Sequence, residues 1–184
     1  WKFIKKLTPI GIFTPKENDL WLYMVKSKAT SDCCVDILEK WWGDNHKSAE
    51  GTIKKLVINL DNGPHQNSRR TQFMKRMQNF SNETGLTVDL AYYLPYHSKY
   101  NLIERTFSSL EKHWSGEILS EDSVVVGFAK TMRWANKNPE VEVINKVYEH
   151  GVKLSKKEMD ELDKGFSRKA GIEKWFVQIT PRAG

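Results

Sequence analysis

The feature that most constrains this chain is an alternation of short apolar runs with stretches of helical period. Residues 56–60 are almost wholly apolar and end at Asp61, and a helical pattern follows over 68–82. Another apolar run, 87–94, is followed by a second helical pattern, 102–114. Such alternation is typical of α/β folds. We therefore predict a mixed sheet flanked by helices, in which the 56–60 strand is covered on both faces.

The flanking segments extend this pattern. The apolar runs 7–13 and 20–25 are separated by a turn-rich stretch and predict a β-hairpin. Ser31 and Asp32 are suited to cap a helix that stops at 43–45, and another helix is predicted over 121–136. Signals weaken from Pro139 onward, with a short helix at 156–163 and an apolar stretch at 175–179. We predict one domain, with a core at 1–138 and a basic extension at 139–184.

Composition limits the class of protein. Twenty-nine Lys and Arg face 23 Asp and Glu, and this surplus of +6 suits a polyanionic partner. The chain contains no apolar run long enough for a membrane span and does not open with a secretory leader pattern. The two cysteines, Cys33 and Cys34, are adjacent, which excludes a disulfide framework and a four-cysteine zinc site. A cytoplasmic location and no membrane partner are predicted.

Two acids stand where α/β proteins place their chemistry. Asp61 follows a strand directly, and Glu104 lies one turn into the helix after the next strand. Functional groups gather at the carboxyl ends of strands in such sheets. Carboxylates that converge there hold divalent cations such as Mg²⁺. Each acid also has an ordinary interpretation: Asp61-Asn62-Gly63 is a common turn, and Asn101 with Glu104 fits a helix capping box.

Together with their neighbours, these residues resemble a known family of enzymes. The segments that carry the resemblance are LVINLDNG (56–63), NSR (67–69), ETGL (83–86), LP (94–95), SKYN (98–101), IER (103–105), FS (107–108) and WSG (114–116), with weaker matches at PIGIF (9–13), WW (41–42) and GVKLS (151–155). In this order and spacing the chain resembles DDE-type transposases of the ISAzo-thirteen kind, which are relatives of the retroviral integrases.

The resemblance implies a ribonuclease-H-like fold and a reaction on DNA. Asp61 corresponds to the second acid of the family's Asp-Asp-Glu triad, and Glu104 corresponds to the third. In that family the acids bind two metal ions, Mg²⁺ or Mn²⁺. The enzyme hydrolyses a phosphodiester at each transposon end and joins the freed 3′-hydroxyl to target DNA. The implied partners are therefore transposon-end and target DNA, with a homo-oligomer expected in the DNA complex.

One part of the family pattern has no counterpart here. The first acid of the triad lies on the first, central strand, upstream of the segment that resembles residues 9–13. Asp19 falls in the hairpin turn, and Asp32 and Asp36 fall in a helix. We therefore expect that the first strand and its Asp lie upstream of residue 1 or were lost. The chain alone is then expected to be poorly active.

Residues around the two acids are predicted to contact DNA. Amides and Arg side chains at a helix start suit a phosphate. The candidates are Asn62, His65, Asn67, Arg69, Arg70, Lys99, Asn101 and Arg105. A solvated helix start is an equal alternative for His65 and Arg69, and the basic stretch 164–174 is more often a solvated surface than a DNA site. The tryptophans Trp21, Trp41, Trp42 and Trp114 are predicted to lie in the core.

The sequence thus favours the catalytic domain of a DDE transposase. Two alternatives stay open: a catalytically degenerate DNA-binding module derived from a transposase, and a ribonuclease-H-like nuclease with another substrate.

Overall fold

The computed structural model describes residues 7–49, 51–61, 63–93, 101–114 and 122–182. In chain order its elements are β1 (Thr8–Thr14), β2 (Asp19–Val25), α1 (Ser31–His46), a short 3-10 turn (Lys47–Ala49), β3 (Lys55–Leu60), α2 (Thr71–Thr84), β4 (Thr87–Tyr92), α3 (Leu102–Trp114), α4 (Asp122–Thr131), β5 (Glu140–Ile144), α5 (Lys156–Asp163), β6 (Phe166–Arg168) and β7 (Phe176–Ile179).

These elements form two compact units. The first unit contains the described residues of Trp1–Ala29 and Lys99–Tyr148, and the second contains those of Thr30–Ser98 and Glu149–Gly184. Each unit has a mixed β-sheet flanked by helices, which confirms the predicted fold class. The division predicted after residue 138 stays a prediction.

The sheet of the first unit has the order β1-β2-β5. β1 and β2 pair antiparallel, with Thr14 opposite Asp19, and this confirms the predicted hairpin. Its turn contains Asn18 at a φ of 55°, a conformation that Asn tolerates better than most residues. β5 then pairs parallel with β2. The sequence analysis missed β5 because its alternating EVEVI pattern lies where the other signals weaken.

The core of the first unit lies between this sheet and two helices. β2 is buried almost throughout, and α3 and α4 pack against it. The fully packed residues are Leu20, Leu22, Met24, Leu110, Ala129 and Met132. Gly11 on β1 allows α3 to come close, because a Cβ there would lie 2.7 Å from Ile103 Cδ1 and 3.2 Å from Phe107 Cζ. This contact sets the distance of α3 from the sheet.

The sheet of the second unit has the order β3-β4-β7-β6. β3 pairs parallel with β4, and β7 pairs antiparallel with both β4 and β6. The prediction that β3 is covered on both faces is wrong. It is an edge strand within the described sheet, its residues alternate between exposed and half-buried, and Val57 is 56% exposed. An edge strand leaves one row of its backbone groups unpaired, and the alternating burial of β3 shows separately that one of its faces is open to solvent.

Aromatic packing holds the helices of this unit together. Trp41 and Trp42 on α1 are buried, which confirms their predicted core position. The ring of Trp42 meets that of Phe80 on α2 edge-on, with 6.4 Å between the ring centroids. Trp21 is likewise buried in the first unit. The side chain of Trp114 lies outside the described residues. The buried aromatics therefore serve packing, as predicted for these three tryptophans.

Several helix ends differ from prediction. α1 is capped by Thr30, whose hydroxyl accepts from Cys33 N at 3.1 Å, and it runs through Gly43 to His46. α2 begins at Thr71 rather than at 68, and it ends as predicted beside Gly85 in the left-handed conformation. α4 ends at Thr131 and does not reach the predicted end at 136; Ala135 and Asn136 both adopt positive φ, which a right-handed helix does not allow.

Candidate active site

Asp61 stands directly after the carboxyl end of β3, in the second unit. The parallel partner strand continues the pairing to this point, because Tyr93 N donates to Leu60 O at 2.9 Å. The Asp61 side chain is exposed, and its Oδ1 accepts a hydrogen bond from Gln66 Nε2. The chain therefore presents a carboxylate at a strand end, as the sequence predicts, and the loop that follows supplies a donor to it.

The loop after Asp61 folds back over the carboxylate. A Cβ on Gly63 would lie 3.1 Å from Asp61 Oδ1, so the absence of a side chain there leaves space for this approach. Asn67 stabilises the loop from within: its Nδ2 donates to Gly63 O at 3.0 Å, and its Oδ1 accepts from Arg69 N at 3.1 Å. The side chain of Asn67 is thus engaged inside the loop.

Side chains from three other segments hold the loop's backbone. Ser31 Oγ on α1 donates to His65 O at 2.6 Å, and the Tyr92 hydroxyl on β4 donates to Gln66 O at 2.7 Å. Arg168 Nη2 on β6 reaches Ser68 O at 3.4 Å. Burial raises the pKa of Tyr92, so its hydroxyl stays protonated and available as a donor. The conformation of the Asp61 loop is consequently decided by contacts distant in sequence.

Two titratable side chains near this loop are perturbed. Burial, and to a lesser extent the neighbouring Cys33 and the carboxylate of Asp61, together raise the pKa of Cys34 to about 12. Burial lowers the pKa of His65, and Arg70 and His150 lower it further. Cys34 is therefore a neutral thiol at physiological pH, and both of the chain's cysteines are free. His65 favours the neutral imidazole.

Glu104 belongs to the first unit and lies in the first turn of α3, as predicted. Its side chain is half-buried, and the next residue, Arg105, is exposed. Asn101, just before the helix, is buried. Ile103 packs against Gly11 of β1, so the same contact that seats the helix also fixes the position of the Glu104 backbone within this unit. A carboxylate near a helix N-terminus is stabilised by the helix dipole.

The predicted DNA-contacting residues have different surroundings. Arg69 and Arg70 are exposed, and Arg70 Nε donates to Pro64 O. His65 is half-buried. Asn62 and Lys99 lie outside the described residues. The sequence analysis assigned no role in this site to Gln66, Tyr92, Ser31 or Arg168, because their contacts to the loop arise only in the folded chain.

Cations of the basic C-terminal stretch, 164–174, are partly neutralised by neighbouring acids. Lys164 pairs with Glu161, and Arg168 pairs with Asp163 at 2.9 Å. α5 begins with two lysines and then carries four acids, with Ser155 forming a capping box with Glu158. This favours a solvated, internally paired surface over a dedicated DNA groove. In the described part of the chain, no helix is long and apolar enough to cross a membrane.

The donor chemistry of the two predicted ligands fits a hard divalent cation, since both are carboxylates. Asp61 offers its group at an exposed strand end, where the carboxylate lies close to the backbone of Gly63. Across the residues that the structure describes, no group of three or more His, Cys, Asp and Glu side chains is gathered to hold a metal.

Comparison with known proteins identifies the family. No curated protein and no solved structure is significantly similar to this chain. A family model described as the Rhodopirellula transposase DDE domain matches residues 2–181. The match covers nearly the whole chain, and the two mixed sheets flanked by helices agree with a ribonuclease-H-like domain of this kind. The chain belongs to this family of transposase DDE domains.

Proposed function

We propose that the chain is the catalytic domain of a DNA transposase that performs metal-dependent phosphodiester hydrolysis and strand transfer at transposon ends. The observation that carries the proposal is the family match over residues 2–181, together with an exposed Asp61 at the end of β3. Both reactions are in-line displacements at phosphorus, so a single set of catalytic groups serves both. A location inside the cell, with access to DNA, follows from this activity.

Asp61 and Glu104 are the proposed ligands of two Mg²⁺ or Mn²⁺ ions. Each carboxylate supplies the hard oxygen donors that these ions prefer. Bound divalent ions supply electrophilic stabilisation of the scissile phosphate and activation of the attacking oxygen. The role of this chain's residues is to hold and orient the carboxylates, since positioning and electrostatics carry such reactions.

The proposed DNA contacts are mainly to phosphate. Arg69 and Arg70 are exposed cations on the loop that follows Asp61, which supports contact with a backbone close to the cut. His65, Asn67, Arg105, Asn62, Lys99 and Asn101 complete the proposed set. Asn67 and Asn101 are proposed to act indirectly, because one is engaged inside its loop and the other is buried. A homo-oligomer that pairs two DNA ends is part of the same proposal.

Cleavage and strand transfer on DNA carrying the terminal inverted repeats of the parent element test this proposal. The assay uses Mg²⁺ or Mn²⁺ and compares this chain with one extended upstream, because no acid of this chain is assigned to the first position of the family triad. We expect the extended chain to be the more active. Asp61→Ala and Glu104→Ala should each lower its rate by about 10²-fold or more.

A matched control separates the acids from general changes of charge. Glu111→Ala removes an exposed acid from the same helix as Glu104 and should leave the rate unchanged. Equal rates for Asp61→Ala and the parent would contradict the proposal. Binding of DNA without cleavage by the extended chain would instead support a degenerate DNA-binding module. Preferential cleavage of an RNA–DNA hybrid would support another ribonuclease-H-like nuclease.

A further inference from the structure

We propose that Gln66 is a positioning residue that orients the Asp61 carboxylate for metal binding. This inference rests on the proposed function, because it assigns a role toward the same carboxylate. Gln66 is not one of the residues predicted from sequence, and its part in the site emerges from two sets of contacts within the second unit and from the charge of the carboxylate. The first contact is made to the Asp61 carboxylate, and the second set holds the backbone of Gln66.

The first contact is the hydrogen bond from Gln66 Nε2 to Asp61 Oδ1. An Asp side chain at an exposed strand end otherwise rotates freely about two torsions. A hydrogen bond to one oxygen selects one orientation and directs the other oxygen. Since Gly63 passes behind the carboxylate, with Oδ1 3.1 Å from the place of an added Cβ, the group is held between an amide and a backbone.

The second contact fixes Gln66 itself. The hydroxyl of Tyr92 donates to Gln66 O at 2.7 Å, and Ser31 Oγ donates to the preceding carbonyl, His65 O, at 2.6 Å. Tyr92 is buried, and in the parallel pairing of β3 with β4 it lies in register with Leu60, the residue before Asp61. The strand pair that places Asp61 therefore also places the side chain that anchors Gln66.

The third consideration is charge. A Lys or Arg in the place of Gln66 would also bind the carboxylate, but it would neutralise the charge that attracts a divalent cation. A neutral amide orients the group and leaves its charge intact. Hydrogen-bond partners of metal-binding carboxylates act in this way, and their removal typically costs about 10–100-fold in metal affinity.

Two measurements on the full chain test this role. The first follows the side-chain amide resonances of Gln66 by NMR without metal. We expect Asp61→Asn to shift them, and to leave those of Gln72 unchanged, because Gln72 donates to Asp32 at 2.9 Å elsewhere in the unit. Unshifted Gln66 resonances would overturn the inference, whatever the chain does with metal.

The second measurement is the Kd of Mn²⁺ alone, by titration calorimetry. Gln66→Leu should weaken binding about 10–100-fold, and Tyr92→Phe should weaken it less in the same direction. Gln72→Leu is the matched control, because it breaks another Gln–Asp hydrogen bond and should leave the Kd unchanged. Thermal unfolding of each variant identifies any that fails to fold, and Tyr92→Phe then provides the comparison in place of Gln66→Leu.

The outcomes separate the two proposals. If Asp61→Asn abolishes Mn²⁺ binding while Gln66→Leu and Tyr92→Phe retain the parent Kd, the positioning role is overturned and the proposed function stands. If Asp61→Asn leaves Mn²⁺ binding unchanged, the proposed function loses its metal ligand. Loss of binding in Asp61→Asn, with weakened binding in Gln66→Leu, supports both.

Discussion

The guanidinium of Arg76 on α2 donates a hydrogen bond of 2.7 Å to the carboxylate of Asp36 on α1. The same group also reaches Asp32 at 2.8 Å and Glu39 at 3.1 Å. A single cation therefore joins three acids of the facing helix, and the Arg76 side chain is only 20% exposed. The sequence analysis excluded Asp32 and Asp36 as the first catalytic acid because they fall in a helix. In the structure these two residues join α1 to α2.

Replacing Arg76 by Met should destabilise the chain markedly. Met retains an apolar stem of similar shape but leaves three half-buried carboxylates without their shared counter-ion. Breaking a buried ion pair costs roughly 3–5 kcal/mol, and partial exposure reduces this to about 2–3 kcal/mol here. Urea denaturation monitored by circular dichroism measures the free energy of unfolding.

An exposed ion pair is the control for Arg76. Lys164→Met removes the partner of Glu161, and both of those side chains are about two-thirds exposed. Its effect should stay within about 1 kcal/mol. A loss for Arg76→Met no greater than that of Lys164→Met would show that the cluster does not hold α1 to α2.

Replacing two glycines of the first unit should change the stability of the chain in opposite directions. Gly11→Val places atoms where Ile103 and Phe107 already pack, and overpacking of this kind costs about 1–3 kcal/mol. Gly127→Ala lies on the exposed face of α4 with open space around it, so it should stabilise the chain by about 0.5–1 kcal/mol through its better helix propensity. Thermal unfolding of both variants measures the two changes in stability. A Gly11→Val variant as stable as the parent would refute the close packing of α3 on β1.

Stability should fall as the pH drops through the range in which His65 titrates. Burial, Arg70 and His150 lower the pKa of His65 in the folded chain from its ordinary 6.5. Below that pH the unfolded chain therefore binds a proton more readily than the folded chain, and the free energy of unfolding decreases. The loss begins near pH 6.5 and is complete below the lowered pKa.

His65→Gln isolates this contribution. Urea denaturation of parent and variant between pH 5 and 8 gives the difference in their free energies of unfolding. We expect the parent to lose stability more steeply than the variant as the pH decreases through 6.5. Parallel curves, or a steeper loss in the variant, would contradict the assigned direction.

The Cys34 thiol should resist alkylation in the folded chain. With a pKa of about 12, its thiolate fraction at pH 8 is about 10⁻⁴, against roughly a quarter for an ordinary thiol. In a Cys33→Ala background, iodoacetamide should therefore react about 10³-fold more slowly in buffer than in urea, as followed by mass spectrometry. Asp61→Asn removes one charge that raises this pKa and should accelerate the reaction; no acceleration would argue against the closeness of Asp61 to Cys34.

Local patterns predicted the elements that have strong signals of their own. The hairpin of β1 and β2, the helices α2 and α3 and the strand β4 follow from short-range periodicity and turn residues, which act within a few positions of the chain. β5 was missed, since its five residues alternate acid and apolar side chains and gain their place only by pairing with β2. The exposed side of β3 was missed because an apolar run does not reveal whether both faces of a strand are covered.

The sequence alone determined the family, the strand-end position of Asp61 and the first-turn position of Glu104, because these depend on residue order and local conformation. Only the tertiary structure decided what surrounds Asp61. Ser31, Tyr92 and Arg168 come from three segments distant from residues 61–70, and their donors meet that loop's carbonyls only after the sheet has formed. Hydrogen bonds between remote parts of a chain leave no local pattern, so the role of Gln66 becomes visible only in the folded second unit.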